Sequence, residues 1–246
     1  MLKKLIELTV LIFCMVIVFN ACKKDGGAGS ENSGHTLAKP KFNSNVTYGT
    51  VTDQDGNVYK TVIIGTQTWM AENLKVTHYN DGTPIPNVTG NEEWKSLSTG
   101  AYCNYNNTAN KDTIDIYGRL YNWYAVNTGK LAPKGWHVAT DIDWANLEHF
   151  LGENLAVGKL KEEGTDHWMT PNMAATNESG FTALPAGERY YYGEFYDIGE
   201  HSYWWSSSLD YGKYALEWGA DYRITNLGRC GYEVMDGFSV RCIKDN

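Results

Sequence analysis

The residues from 189 to 196 carry an unusual concentration of side chains that could bind a ligand. They read Arg-Tyr-Tyr-Tyr-Gly-Glu-Phe-Tyr, and a tryptophan pair follows a few residues later. Aromatic faces stack on sugar rings, and nearby arginine and glutamate side chains can hydrogen-bond to hydroxyl groups. We therefore predict a surface that binds glycan or another surface protein, formed by Arg189, Tyr191, Tyr192, Glu194, Trp204 and Trp205. The alternative is that alternating tyrosines in a strand simply cover the core.

A second stretch, from residue 104 to residue 115, could supply ligands to Ca²⁺. This cation prefers carboxylate, amide and backbone oxygens, and the candidate ligands are Asn104, Asn106, Asp112 and Asp115. The alternative is a polar loop whose side chains bond to its own backbone. The acidic run from Asp53 to Asn57 is instead predicted to form a tight turn, because Ile64 stands where an EF-hand loop carries glutamate. No other cofactor is predicted.

Motifs typical of enzymes are missing from the sequence. The six histidines show neither His-x-His nor His-Glu-x-x-His spacing, which excludes the simplest zinc sites. Gly-x-Ser-x-Gly, a phosphate-binding loop and a dinucleotide fingerprint are also missing. Hydrolysis by two carboxylates stays open, because a sequence does not show which acids meet in space. These patterns favour a binding protein over an enzyme.

The N-terminus has the order of a secretory signal. Lys3 and Lys4 precede an apolar run that ends at Phe19, and this run is too short to span a bilayer. Ala21 directly before Cys22 resembles a bacterial lipobox. We predict a lipoprotein signal peptide over residues 1–21, with Cys22 as the lipidated first residue of the mature chain. The lysines and aspartate after Cys22 resemble the export tag of surface lipoproteins. The predicted location is therefore the outer membrane, and the tag predicts exposure at the cell surface.

Residues 22–46 are predicted to link this lipid anchor to a folded domain. The segment is rich in glycine, serine, asparagine and lysine and has almost no apolar periodicity, as expected of a flexible tether. The alternative is that it folds onto the domain.

The overall charge limits the partners. The chain of 246 residues carries 21 Lys and Arg against 29 Asp and Glu, for a net charge of −8. This charge opposes any broad attraction to phosphate backbones, so nucleic acid is not an expected partner.

Residues 47–246 are predicted to form one α+β domain of short antiparallel strands with about two helices. Strands flank a turn at Gly65-Thr66, since β-branched and aromatic residues lie on both sides of it. A helix is predicted after Thr140, where a capping-box pattern precedes apolar residues at helical spacing, with Gly152 as the stop. Similar spacing predicts another helix between Tyr117 and Val126.

Several short blocks rich in aromatic residues and glycine follow one another along the domain: Trp69–Leu74, Tyr117–Val126, Pro133–Val138, Gly180-Phe181, Leu184–Gly187, Trp205–Ser207 and Gly237–Cys242. In this order and spacing they resemble the Fibrobacter succinogenes major paralogous domain family. The resemblance implies a secreted or surface lipoprotein and, more distantly, the C-type-lectin-like fold of formylglycine-generating enzymes. The catalytic cysteine motif of those enzymes is not matched.

The resemblance also bears on the cysteines. Three thiols remain after the predicted leader and lipid anchor, in an oxidising compartment. Cys103 and Cys242 both lie in blocks that resemble the family pattern, so a disulfide between them is favoured, and a pair of Cys230 with Cys242 is the alternative.

The favoured function is a non-enzymatic binding or adhesion module; the alternatives are an enzyme acting on extracellular polysaccharide or peptide, and a structural envelope component.

Overall fold

The computed structural model describes residues 37–210 and 214–245. They belong to one compact unit, which spans Leu37–Asn246. The predicted signal peptide, the lipidation site Cys22 and the first part of the predicted tether lie outside the described residues and stay predictions. Among the helices that are described, none has the length and apolar character needed to cross a membrane.

Residues 37–46, the last part of the predicted tether, pack on the domain. The backbone N–H of Lys41 donates to Glu162 Oε1 at 2.6 Å, and the side-chain amide of Asn43 donates to the Asn177 carbonyl at 3.0 Å. Phe42 and Val46 pack against buried core residues. The prediction of a flexible tether is therefore wrong for this part, because its polar groups find partners on the domain. We call residues 37–46 the N-terminal strap.

Twelve short strands are described. In chain order they are β1 (Gly49–Thr52), β2 (Val58–Ile64), β3 (Gln67–Met70), β4 (Tyr102–Cys103), β5 (Leu120–Tyr121), β6 (Trp136–Val138), β7 (Ala186–Arg189), β8 (Phe195–Ile198), β9 (His201–Leu209), β10 (Tyr214–Asp221), β11 (Gly228–Glu233) and β12 (Cys242–Lys244). They form one sheet of order β1-β2-β3-β12-β6, a second of order β11-β10-β9-β7-β8 and a small β4-β5 pair. Among these described strands every pairing is antiparallel except that of β7 with β9.

Five short α-helices complete the described part of the domain. They are α1 (Asn91–Trp94), α2 (Lys111–Tyr117), α3 (Trp123–Val126), α4 (Asp141–Leu151) and α5 (Ala156–Leu160). Together with the short antiparallel strands they confirm the predicted α+β class, although more helices form than the two expected.

The helix after Thr140 forms as predicted. The Thr140 side chain accepts a hydrogen bond from the Asp143 backbone, the Asp143 carboxylate accepts one from the Thr140 backbone, and Gly152 ends α4 in the left-handed conformation. The strands β2 and β3 around Gly65-Thr66 are confirmed as well.

The prediction of one helix from Tyr117 to Val126 is mostly wrong. Leu120 and Tyr121 form β5, and the helix is limited to α3. Pairing with β4 overrides the helical spacing, because Tyr121 and Leu120 align with Tyr102 and Cys103. Asn122 then caps α3 by accepting a hydrogen bond from the Ala125 backbone.

Large aromatic side chains fill the centre of the domain. We call the following group the tryptophan core: Trp69, Trp144, Phe181, Trp204 and Trp218. The Trp144 ring stacks on Trp204 at a centroid distance of 5.4 Å and lies 4.9 Å from Trp69. These rings join α4 to strands of both large sheets.

Candidate functional site

The β7–β8 hairpin presents a tight turn at the surface. The Gly193 N–H donates to the Tyr190 carbonyl at 2.7 Å, and the Tyr190 N–H donates to the Glu194 carbonyl at 2.8 Å. Gly193 has a φ of +104°, and a side chain there would place its Cβ 2.6 Å from Asn91 Cβ. Glycine is thus required, both for the backbone angle and for the close contact with α1.

Four tyrosine rings cluster at this turn and on β8. We call them the tyrosine patch: Tyr190, Tyr191, Tyr192 and Tyr196. The Tyr191 ring lies 4.4 Å from Tyr190 and 4.1 Å from Tyr192 between centroids. Tyr192 is 55% exposed and Tyr196 is 39% exposed. The patch is therefore an open aromatic surface on which an apolar face of a ligand can stack.

The turn that carries the patch also has polar groups at the surface. The pKa of Tyr191 is raised, first by its hydrogen bond with Tyr192 and then by partial burial. Glu194 is exposed and belongs to the same turn, since its carbonyl accepts the hydrogen bond from Tyr190 N–H. The structure thus brings together three of the predicted ligand-binding residues, namely Tyr191, Tyr192 and Glu194, and adds Tyr190 and Tyr196.

Arg189 does not face a ligand, so its predicted role is wrong. Its side chain is fully buried and donates to the carbonyls of Gly193, Val88 and Thr89 at 2.6–3.0 Å. The guanidinium also lies 4.3 Å from the centroid of Trp94. Arg189 therefore links the turn between β7 and β8 to α1 and to Val88 and Thr89, which precede α1 in the chain.

The prediction is also wrong for Trp204 and Trp205, which are fully buried. Neighbouring residues of a strand point to opposite faces, and both faces of β9 are covered. The Trp204 indole N–H donates to Asn73 Oδ1, and the Trp205 indole N–H donates to the Tyr121 carbonyl. Both residues belong to the core.

Two buried carboxyl groups lie next to the patch. Asp236 is 1% exposed and Glu188 is 8% exposed. The Tyr191 backbone N–H donates to Asp236, yet burial raises the pKa of Asp236 to about 8. Burial, followed by the charges of Asp236 and Asp197, raises the pKa of Glu188 well above its usual value. Within the described residues, one oxygen of each group has no hydrogen-bond partner.

The predicted calcium ligands serve local structure instead. Asn104 donates to the Thr108 carbonyl and accepts a hydrogen bond from Arg119, a cation that would repel Ca²⁺. Asp112 lies in the first turn of α2, and Asp115 pairs with Lys111 one turn earlier. Asn106 adopts the left-handed conformation in a turn of 3₁₀ helix. The polar-loop alternative thus accounts for these residues, and the Ca²⁺ prediction is not supported.

A different group could hold a metal ion. One ligand atom from each of Asp197, Glu200 and His201 lies within 4.8 Å of the other two. No common zinc motif covers these residues; the only sequence signal was the spacing Asp-x-x-Glu-His.

The cysteines form no disulfide among the described residues, so the predicted bond between Cys103 and Cys242 is wrong. The two thiols are fully buried in different hydrophobic clusters, which separates them. Burial raises the pKa of Cys103 to about 12 and also raises that of Cys242. Both side chains therefore act as small apolar residues.

A shallow polar pocket of about 390 Å³ lies between the N-terminal strap and two loops near residues 164 and 176. Phe42 is its one aromatic lining residue, and that ring packs against the core. The pocket therefore offers a poorer stacking surface than the tyrosine patch.

Comparison with known proteins identifies the domain. The Fibrobacter succinogenes major domain family matches residues 62–244 of the chain. Neither a curated protein nor a solved structure shows significant similarity. The more distant likeness to C-type lectins thus stays a prediction.

Proposed function

The chain belongs to the Fibrobacter succinogenes major domain family, and from this premise we propose that it is a non-enzymatic binding lipoprotein that holds glycan through the tyrosine patch. The lipid on Cys22 would anchor it in the outer membrane, with the domain at the cell surface. The observation that carries the proposal is the cluster of four tyrosine rings at the surface, of which Tyr192 and Tyr196 are exposed, on a turn held by Arg189. A ring already held in place loses little conformational entropy when a sugar stacks on it.

The arrangement of the patch suits a sugar ring. Tyr192 and Tyr196 offer exposed faces for the C–H groups of a pyranose. The exposed Glu194 carboxylate can accept hydrogen bonds from sugar hydroxyls. Aromatic and polar groups thus lie side by side on one surface.

The state of the buried carboxyls supports a binding role rather than hydrolysis. A glycosidase needs two carboxyl groups that reach the scissile bond, whereas Glu188 and Asp236 are at least nine-tenths buried. The two buried thiols with raised pKa values are likewise poor nucleophiles.

The proposal is tested with the full chain in detergent micelles, by binding to insoluble polysaccharides and to a glycan array. We expect Tyr191→Ala and Tyr192→Ala each to weaken binding about 10-fold, which is the value of one aromatic contact. Tyr196→Ala and Tyr214→Ala form a matched pair, because both rings are 39% exposed but Tyr214 lies on β10. Only the first should weaken binding.

Two results would overturn the glycan proposal: no glycan bound by the unaltered chain, or binding that all three patch variants leave intact. In the first case, capture of a protein from the cell envelope, lost on Tyr192→Ala, would assign the patch to a protein partner instead.

A further inference from the structure

The turn between β8 and β9 gathers three side chains that commonly bind metals. Asp197 lies near the end of β8, Glu200 lies in the turn that follows, and His201 is the first residue of β9. Their ligand atoms lie within 4.8 Å of one another. Two ligands of one Zn²⁺ ion, each about 2.0–2.2 Å from the metal, lie roughly 3–4 Å apart. A small movement of the side chains thus suffices to bring all three onto one ion.

His201 is oriented so that one ring nitrogen is available. Its Nε2 lies 2.9 Å from Asp221 Oδ2, and Asp221 is itself held by Arg223 at 3.0 Å. A hydrogen bond from Nε2–H to Asp221 leaves the lone pair on Nδ1. That Nδ1 atom is buried and, among the described residues, has no hydrogen-bond partner.

The buried Nδ1 faces a carboxylate. It lies 3.8 Å from Asp197 Oδ2, which is too long for a hydrogen bond. A lone pair and a carboxylate repel each other unless a cation lies between them. A metal cation placed between the two atoms would be bound by both of them and would remove this repulsion.

The orientation of Asp197 is also fixed by a neighbouring side chain. The Tyr203 hydroxyl donates to Asp197 Oδ2 at 2.9 Å, and the Tyr203 ring stacks on His201 at 5.5 Å. Metal-binding histidines and carboxylates are typically held by such outer hydrogen bonds, which fix their orientation. Asp221 and Tyr203 fill this role for the two ligands.

Backbone contacts hold the turn itself in place. The Gly199 N–H donates to the Pro185 carbonyl at 3.0 Å, and the Gly199 carbonyl accepts from Met169 N–H at 2.8 Å. The Glu200 carbonyl accepts from Tyr222 N–H at 3.1 Å. Three separate segments thus fix the residues that carry the ligands before any ion binds.

We propose that Asp197, Glu200 and His201 bind one divalent first-row transition metal ion, such as Zn²⁺. The imidazole nitrogen selects this class over Ca²⁺ and Mg²⁺, which prefer oxygen ligands. The three side chains leave further coordination positions open to water or to a ligand. This site is distinct from the stretch between residues 104 and 115.

The test is a titration of the full chain, stripped of metal with a chelator, with ZnCl₂ in a calorimeter. We expect one Zn²⁺ ion per chain in the micromolar range or tighter, and Co²⁺ bound at the site should change its visible d–d absorption relative to Co²⁺ in water. His201→Gln should weaken Zn²⁺ binding at least about 100-fold, and Asp221→Asn should weaken it about 10-fold to 100-fold.

His149→Gln is the matched control. His149 also has a glutamate nearby, with Nδ1 3.5 Å from Glu153 Oε1, but its side chain is 85% exposed and has no orienting carboxylate on the second nitrogen in the described structure. This variant should bind Zn²⁺ like the unaltered chain. Glu200→Gln, in a surface turn, provides a variant whose folding should be unaffected and whose affinity should still fall.

Three results would overturn the proposal. They are binding only at millimolar Zn²⁺, equal affinity in the unaltered chain and His201→Gln, and equal loss in His149→Gln. Since no glycan is present in this titration, its outcome is independent of the tyrosine patch.

Discussion

The tyrosine patch and the tryptophan core are built alike but differ in burial. Ring centroids lie 4.1–6.3 Å apart in the patch and 4.9–6.3 Å apart in the core. Yet the core tryptophans are at most 3% exposed, whereas Tyr192 is 55% exposed. Ring spacing therefore does not distinguish a binding surface from a core; the open face does.

Two buried arginines connect these regions to the rest of the fold. Arg241 donates to the carbonyls of Met70 and Phe181 beside the tryptophan core. Arg189 makes the same kind of bonds, but the carbonyls it binds belong to the turn and to the segment that supports it. A buried arginine that binds backbone carbonyls thus supports the exposed patch in the same way as it supports the core.

Removal of one core ring should have the largest effect on stability. Trp144 is fully buried and contacts Trp69, Phe181, Trp204 and Trp218. We expect Trp144→Ala to lower the free energy of unfolding by about 3–5 kcal/mol in urea denaturation.

Tyr192→Ala is the matched deletion in the patch. Because this ring is mostly exposed, the free energy of unfolding should change by less than about 0.5 kcal/mol. A similar loss in both variants would mean that the patch is part of the folding core, and the comparison would fail.

Arg189→Met should have the next largest effect. The substitution leaves the carbonyls of Val88, Thr89 and Gly193 without their donor, at a cost of about 2–4 kcal/mol. Since the turn is then no longer fastened, binding at the patch should weaken as well. Both quantities are measured on the same protein, by urea denaturation and by polysaccharide binding.

Arg229→Met is the control, because this arginine forms a half-exposed ion pair with Asp141. Such pairs contribute at most about 1 kcal/mol, and binding should not change. If Arg189→Met retained full affinity at the patch, Arg189 would have no positioning role.

Local signals predicted the elements that local contacts stabilise. The capping box of α4 needs only Thr140 and Asp143, three residues apart. The β2–β3 hairpin likewise depends on a turn at Gly65 with a φ of +61°. In each case the residues that stabilise the element are close together in the chain, so the local sequence is enough to predict the element.

The candidate site depends on contacts between residues far apart in the chain. Arg189 reaches the Val88 carbonyl across 101 positions. Trp204 donates to Asn73 across 131 positions, and nothing in its neighbourhood shows that both faces of β9 are covered. His201 is a candidate ligand because Asp221, on the neighbouring strand, orients its ring. The aromatic and charged residues of the β7–β8 hairpin indicated a binding surface. Only the fold shows which of these side chains lie at the surface and which are buried.

A smaller effect should reveal the charge state beneath the patch. Burial raises the pKa of Asp236 to about 8, so the folded protein keeps a proton that the unfolded chain releases above about pH 4. At Asp236 the folded state binds more protons in this window, and the contribution of this residue to the free energy of unfolding must therefore fall as pH rises from about 4 to about 8. The contribution of Asp236 is about 1.4 kcal/mol per pH unit between pH 5 and 7.

Asp236→Asn removes this titration while keeping the shape of the side chain. Urea denaturation at several pH values should show a shallower decline for this variant than for the unaltered protein. Asp81→Asn is the control, because the pKa of this exposed carboxyl is lowered by its hydrogen bond with Lys130 and it does not titrate in this window. An unchanged slope in Asp236→Asn would show that Asp236 is ionised in the folded protein. The surface beside Tyr191 would then carry a buried negative charge, and it would favour a cationic ligand over a neutral sugar.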